Sequence, residues 1–394
     1  MTRPAIIHVL GEIHPAALEH LRRHAVILTE ADPFPSICDG IIVRSRRISA
    51  ADIDACPNLK VIGKHGVGTD TIDVDAAAKR GIPVRTTPGA NAESVADLAV
   101  GFALALIRNI HEITLDLKAG GPVSPGLVRG FELAELPVAI AGLGSVGRAV
   151  ARRLVNGFGC EVIAFDPGLP DTEWPKNVAR AESLTALLAG ARLLFIHMPL
   201  VPETRDCIDA RALESMPSRS YLVNCARGGI VDEAALAAAL ANGHLAGAAS
   251  DVFACEPPRA DNPLLAFRGF LAMPHLGAST NRGLERVGTT IVEEVLDAID
   301  AALLPAWRHQ SGQHDSRQRG TTHDNRISHP FQTRETSGRS GPQICRLAGC
   351  ERLGFDEPHD LGRSPAPTVP RTRHQDGGVG FDREDASRRQ PDGS

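Results

Sequence analysis

The chain has 394 residues, 43% of them hydrophobic, with a formal net charge of −5 and an isoelectric point near 6.3. That length accommodates two or three domains with real cores, and the mild acidity leaves no basic footprint for nucleic acid. No apolar run reaches the roughly 18 residues of a membrane span, and the eight cysteines lack CxxC or metal-ligand spacing, so the expectation is a cytoplasmic protein with reduced thiols, no metal and no membrane.

Residues 1–95 read as a first α/β unit. Apolar runs at Ala5–Leu10, Ala25–Thr29, Gly40–Ser45, Leu59–His65 and Ile82–Thr86 predict strands, and Pro15 opens a helix through Leu18 and Leu21. Strands alternating with short helices predict a parallel sheet. Ligands in such sheets lie beyond the carboxyl ends of strands, so two stretches are candidate site material. Arg44 and Ser45 end one strand. The glycine turn from His65 to Asp70 follows another, and the N–H groups of Val67 and Gly68 are placed to cradle a small carboxylate. An ordinary strand-to-helix turn fits the same residues.

Ser94, with Asp97 three residues on, is expected to cap an apolar helix that runs through Ile107 and ends near Asn109. The Gly/Pro-rich residues 116–135 read as a connector. Val138–Ala141 is then a buried-type strand, followed by Gly142, Gly144 and Gly147 at G-x-G-x-x-G spacing. Val146, Ala149, Val150 and Leu154 continue at helical spacing, so strand, glycine turn and helix come in the order a dinucleotide site requires. Gly142 permits the tight turn, Gly144 leaves room for the pyrophosphate, and Gly147 lets helix and strand pack closely. The helix start, at Ser145 and Val146, offers free N–H groups and a positive dipole end to phosphates. A second apolar run ends in Asp166, 19 residues past Gly147, where a carboxylate accepts from adenosine ribose hydroxyls. Pro167 and Gly168 follow it, with no adjacent cation for a 2′-phosphate, which favours NAD over NADP.

Further strands are expected at Arg192–His197, Ser220–Cys225, Ala246–Val252 and Gly269–Met273, and Asp232 caps an alanine-rich helix ending near Asn242. From Glu285 to Leu303, Val287, Ile291, Val292, Val295, Leu296 and Ile299 form one apolar stripe, a helix that can return to the first unit. The organisation is therefore 1–95 for substrate, 96–282 for the dinucleotide, 283–304 for the returning helix and 305–394 for a tail. That tail is rich in Arg, His, Gln, Ser, Gly and Pro, contains no Lys and has no apolar periodicity. It is expected to be a disordered, solvated segment. The abrupt change also fits a shifted reading frame or a non-native extension.

Three polar residues follow three successive strands of the second unit: Arg227, Glu256 and His275. In a parallel sheet these strand ends share an edge with the glycine turn, so the three can face one cleft beside a nicotinamide. Oxidising an alcohol needs a base for the hydroxyl proton, and histidine as a residue type suits that task. A neighbouring carboxylate orients the ring, and an Arg fork binds a substrate carboxylate. Asp251, on the strand before Glu256, is placed to meet the nicotinamide carboxamide.

Together, the stretches TPGANAESV at 87–95, GLGSVG at 142–147, VNCARGGIVDE at 223–233, DVFACEPP at 251–258 and PHLGAST at 274–280 resemble the D-isomer-specific 2-hydroxyacid dehydrogenases, the phosphoglycerate dehydrogenase branch being nearest. The resemblance covers about residues 5–304. It implies two Rossmann-like domains (a flavodoxin-like substrate domain and an NAD-binding domain) with the site in the cleft between them, and a homodimer formed through the NAD-binding domain. It implies Arg227 as substrate anchor, Glu256 as partner and His275 as acid/base. Val67, Gly68 and Arg44 would contact the substrate, and Pro199, Thr204 and Ala226 would join the cofactor-binding set. The reaction implied is NAD-dependent interconversion of a 2-hydroxy acid and its 2-keto acid. 3-Phosphoglycerate, glyoxylate/hydroxypyruvate and sulfonated analogues all remain as substrates, because Lys64 and His65 depart from the branch's usual pair. A non-catalytic NAD(H)-sensing protein of the corepressor type is the alternative on the same fold.

Overall fold

The computed structural model describes residues 3–303. The expectations for the tail fall outside them. The first unit holds β1 (Ala5–Leu10), β2 (Ala25–Leu28), β3 (Gly40–Val43), β4 (Val61–Lys64) and β5 (Val84–Arg85), all parallel in the order β2-β1-β3-β4-β5. That is the flavodoxin-type doubly wound order. The second holds β6 (Val138–Ala141), β7 (Val162–Phe165), β8 (Ala179–Arg180), β9 (Leu193–Ile196), β10 (Ser220–Asn224), β11 (Leu245–Ser250) and β12 (Phe270–Ala272). Their order is β12-β11-β10-β9-β6-β7-β8, again all parallel, and it reverses direction between β6 and β9. This is the Rossmann arrangement, with its crevice at the reversal. The strands β3, β4, β6, β9 and β10 are buried throughout. They read as continuous apolar runs because helices cover both faces.

Ten α-helices lie among the described residues, and two of them decide how the site is held. The helix α10 (Asn281–Leu303) packs on the first sheet, against β3, β4 and β5. Its Ile291, Val292, Val295 and Ile299 share one core cluster with Ile7, Val9, Ile42 and Val61. Burying each such side chain contributes about 1.5–3 kcal/mol before entropy costs. Gly63 in β4 makes the approach possible, since a Cβ there would sit 2.5 Å from Val295 Cγ2. The helix α4 (Ala92–Ile107) packs instead on α6 (Ser145–Phe158), β10 and β11.

One local expectation needs correcting, and two elements were not foreseen. Ser94 does not cap α4; the helix starts at Ala92, and Ser94 lies in its first turn. The Ser94 hydroxyl pairs with that of Thr280 at 2.7 Å, a long-range partner that a local capping pattern cannot reveal. A helix also follows Asn109 directly, where no element was expected. That residue takes a left-handed conformation (φ 53°), which Asn tolerates, and α5 (Ile110–Lys118) follows at once. The two-residue β8 was not foreseen, since both its residues are exposed and carry no apolar pattern.

Candidate active site

The glycine turn after β6 is built as the spacing requires. Gly142 has φ +94°, and a Cβ on it would lie 2.7 Å from the His197 carbonyl carbon at the end of β9. A Cβ on Gly147 would run into the Gly142 carbonyl oxygen. Gly144 differs: nothing among the described residues lies within 4 Å of its missing Cβ. The protein itself does not need a glycine there, so the open space is available to a ligand. Gly144 is also the N-cap of α6 and supplies no side-chain cap. The N–H groups of the first turn, including those of Ser145 and Val146, are therefore free of a side-chain acceptor there, and an anion fits them. Asp166 sits just past β7. Its Oδ2 accepts the Leu143 N–H at 2.7 Å and its Oδ1 accepts the Gly168 N–H at 3.0 Å. The carboxylate is thus tied to the glycine turn and presents negative charge beside it.

The loop after β9 is stitched by Thr204, whose hydroxyl donates to the Pro199 carbonyl at 2.6 Å and accepts the Val201 N–H at 2.9 Å. Ala226 follows β10, and its N–H donates to Asn224 Oδ1 at 3.0 Å. Both loops lie at the carboxyl edge of the second sheet, as the glycine turn does. Sequence reasoning missed Gly89, whose missing Cβ would lie 3.4 Å from Ser145 Oγ and which brings the 87–91 turn against the start of α6.

Glu256 and His275 meet directly. His275 Nδ1 lies 2.8 Å from Glu256 Oε2, and Glu256 Oε1 accepts the Phe253 N–H at 3.1 Å. Burial opposes the charge on Glu256, yet its bonds to His275 and Phe253, with Arg227 nearby, hold its carboxyl below the ordinary range. His275 is 46% exposed in its side chain, so the ring is open to the cleft. Its backbone is left-handed, φ 58°, and its N–H donates to the Asp251 carbonyl at 2.7 Å. Asp251 is only 2% exposed, and burial pushes its carboxyl up. Its two oxygens accept the N–H groups of Leu276 and Gly277, both at 2.8 Å. What it visibly does is clamp the loop that carries His275.

Arg227 reaches toward the first unit. Its Nε lies 3.4 Å from Asp70 Oδ2, and its Nη1 donates to the Ala226 carbonyl at 2.7 Å. A Cβ on Gly68 would collide with Arg227 Nη2, so only glycine lets the guanidinium lie over that turn. Val67 beside it is exposed. Arg44, at the end of β3, donates to the Glu12 carbonyl at 3.4 Å and to Ser279 Oγ at 3.1 Å, four residues past His275. The two stretches singled out in the first unit are therefore brought to the same cleft as Arg227 and His275. Asp70 and Ser279 were not singled out as site residues, because nothing local marks either as a partner for an arginine of the other unit. Beneath the turn, Lys64 donates to the Arg44 carbonyl and to Thr71 Oγ1. Burial pushes the Lys64 ammonium down and the His65 ring down to about 4.

Comparison with known proteins points to one family. Residues 100–277 match the family model described as D-isomer specific 2-hydroxyacid dehydrogenase, NAD binding domain. The chain is 39% identical over 267 residues to a D-3-phosphoglycerate dehydrogenase of Methanocaldococcus jannaschii, covering 67% of this chain but 50% of that one. It is 38% identical over 264 residues to a hydroxypyruvate reductase of Thermotoga maritima, covering 66% of this chain and 85% of that one. It thus spans about half the length of the first relative and most of the second. Among solved structures, an NAD-dependent formate dehydrogenase from Staphylococcus aureus in complex with NAD superposes with a TM-score of 0.66 at 28% identity, over 76% of this chain and 97% of that one. The chain belongs to the D-isomer-specific 2-hydroxyacid dehydrogenase family and carries that family's NAD-binding domain.

Proposed function

We propose that this protein interconverts a 2-hydroxy acid and its 2-keto acid, with Arg227, Glu256 and His275 as its catalytic residues. The observation that carries the reading is the Glu256–His275 pair at 2.8 Å, opening on the cleft that Arg227 and the Gly66–Gly68 turn enclose. NAD, when bound, supplies the hydride acceptor or donor. Gly142, Gly144, Ser145, Val146, Gly147 and Asp166 would hold its phosphates and ribose, with Pro199, Thr204, Ala226 and Asp251 lining the path to the nicotinamide. The Arg227 fork takes the substrate carboxylate and polarises the neighbouring carbonyl. The Val67 and Gly68 N–H groups share that carboxylate, and Arg44 faces the substrate's far end. His275 takes the hydroxyl proton in one direction and returns it in the other.

Relatives named for phosphoglycerate and for hydroxypyruvate both align, and Arg44 and Arg227, both brought to the cleft, favour an acid that bears a second anionic group. The test is a panel of 2-keto acids with NADH and NADPH. Oxidation of NADH by at least one acid, slowed by about 10² or more in His275→Ala, is the expected result. No turnover across the panel with NADH binding intact would instead support a nucleotide-sensing protein. The reading includes a cytoplasmic homodimer assembled through the NAD-binding unit. Exposed Ile110 and Leu117 on α5 and exposed Val128 beyond it supply apolar surface for such a contact, and the mass in solution is its check.

A further inference from the structure

Arg227 takes polar partners from both units. Its own loop supplies the Ala226 carbonyl to Nη1, and the first unit supplies Asp70 to Nε. A guanidinium is planar and rigid, so fixing two of its nitrogens fixes the third. The third, Nη2, lies over Gly68. The Asp70 oxygen is also next to that turn, 2.7 Å from where a Gly68 Cβ would be.

Lys64 bears on the same arrangement. Its ammonium is attracted by Asp70 and repelled by Arg227. Two cations therefore converge on this corner of the cleft, and Asp70 is the anion between them. Without it, their repulsion would drive the Arg227 side chain, which is 30% exposed, out toward solvent.

We propose that Asp70 is a positioning residue for Arg227. It holds the guanidinium fork across the cleft so that Nη2 meets the substrate carboxylate over the Gly66–Gly68 turn. This rests on Arg227 being the substrate anchor. Because Asp70 and Arg227 belong to different units, the anchor is completed by a contact that joins the two. Asp70 engages the Nε edge and leaves Nη2 toward the turn, so it does not occupy the substrate's own place. A competing carboxylate would do the opposite and weaken binding by its presence.

The experiment measures calorimetric binding of oxamate, a keto-acid analogue that is not reduced, to the full chain saturated with NADH. Asp70 is 62% exposed and its contact with Arg227 is long, so Asp70→Ala is expected to weaken oxamate about three- to fivefold. It should raise KM for the keto acid by a similar factor with a smaller change in kcat, and leave NADH affinity and thermal stability as they were. Asp70→Asn, which keeps the shape, should show the same direction and guards against a folding defect. In an Arg227→Lys background, which has no Nε edge, Asp70→Ala should add less than twofold. Unchanged or tighter oxamate binding in both Asp70 variants overturns the proposal, the tighter result marking a competing carboxylate. If the wild type binds oxamate but reduces no keto acid, the reaction falls while the oxamate series still decides the role of Asp70. If the wild type neither binds oxamate nor reduces a keto acid, both fall; if it reduces a keto acid without binding oxamate, the KM comparison decides the role of Asp70.

Discussion

The contact between His275 and Glu256 fixes which nitrogen of the ring faces the cleft. Glu256 Oε2 is an acceptor only, so Nδ1 carries a proton and Nε2 is left to exchange one with substrate, a tautomer assigned from the hydrogen-bond partners. Glu256→Gln keeps the shape, and its amide oxygen can still accept the Phe253 N–H. Its amide N–H, however, donates to Nδ1, which puts the ring proton on Nε2 in the neutral form. The base for alcohol oxidation is then lost, although the fold is not. The expected outcome is a fall in kcat of about 10² or more with thermal stability little changed. Steady-state kinetics beside a melting curve checks it, and a variant as active as the wild type would remove Glu256 from the mechanism.

The strand–turn–helix element from β6 to α6 contains three glycines that are not equivalent. Gly142 and Gly147 are required by the protein: a Cβ on either runs into backbone, and Gly142 is also left-handed. Gly144 is not left-handed and faces open space. Gly144→Val should therefore leave the melting temperature nearly unchanged and weaken NADH by tenfold or more, as the branched side chain fills the room for the pyrophosphate. Gly142→Ala should lower the melting temperature itself, because both conformation and contact are violated. Fluorescence titration with NADH and thermal melts separate the two, and equal loss of stability in both variants would contradict the assignment. This element was legible in the sequence because its signals are local: an apolar run, fixed glycine spacing and helical periodicity. The Arg227–Asp70 and Ser94–Thr280 contacts were not, since they join residues 157 and 186 positions apart. The start of α4 was misplaced for the same reason, the local pattern at Ser94 being overridden by its distant partner.

At the scale of the whole molecule, the carboxyl edge of each sheet buries a histidine with a ring nitrogen that has no hydrogen-bond partner among the described residues. His65 follows β4, is 8% exposed, and its Nε2 has no hydrogen-bond partner among the described residues. His197 follows β9, and both its ring nitrogens are buried without a hydrogen-bond partner among the described residues. Burial pushes the rings down to about 4 and about 3, with Arg44 and Lys64 adding to the effect on His65. A depressed histidine refuses in the folded state a proton that the unfolded chain accepts near pH 6.5. Each therefore costs stability progressively as pH falls from about 6.5 toward its folded value, and nothing above pH 6.5. For His65 the loss is about 2 kcal/mol by pH 5, against a total stability of roughly 5–15 kcal/mol for a typical domain. The carboxylates held low by their partners, Asp39, Glu93 and Glu256, act in a separate window. Their contributions fade only below the ordinary carboxylate range near pH 4, so a loss between pH 6.5 and 5 belongs to buried histidines. Thermal melts of the wild type should fall by several degrees from pH 7.5 to 5.0. His65→Asn, which cannot titrate, should lose clearly less over that interval while His197 continues to titrate in it. Parallel melting curves for the two proteins across the interval would mean that His65 is protonated as readily inside the fold as outside it.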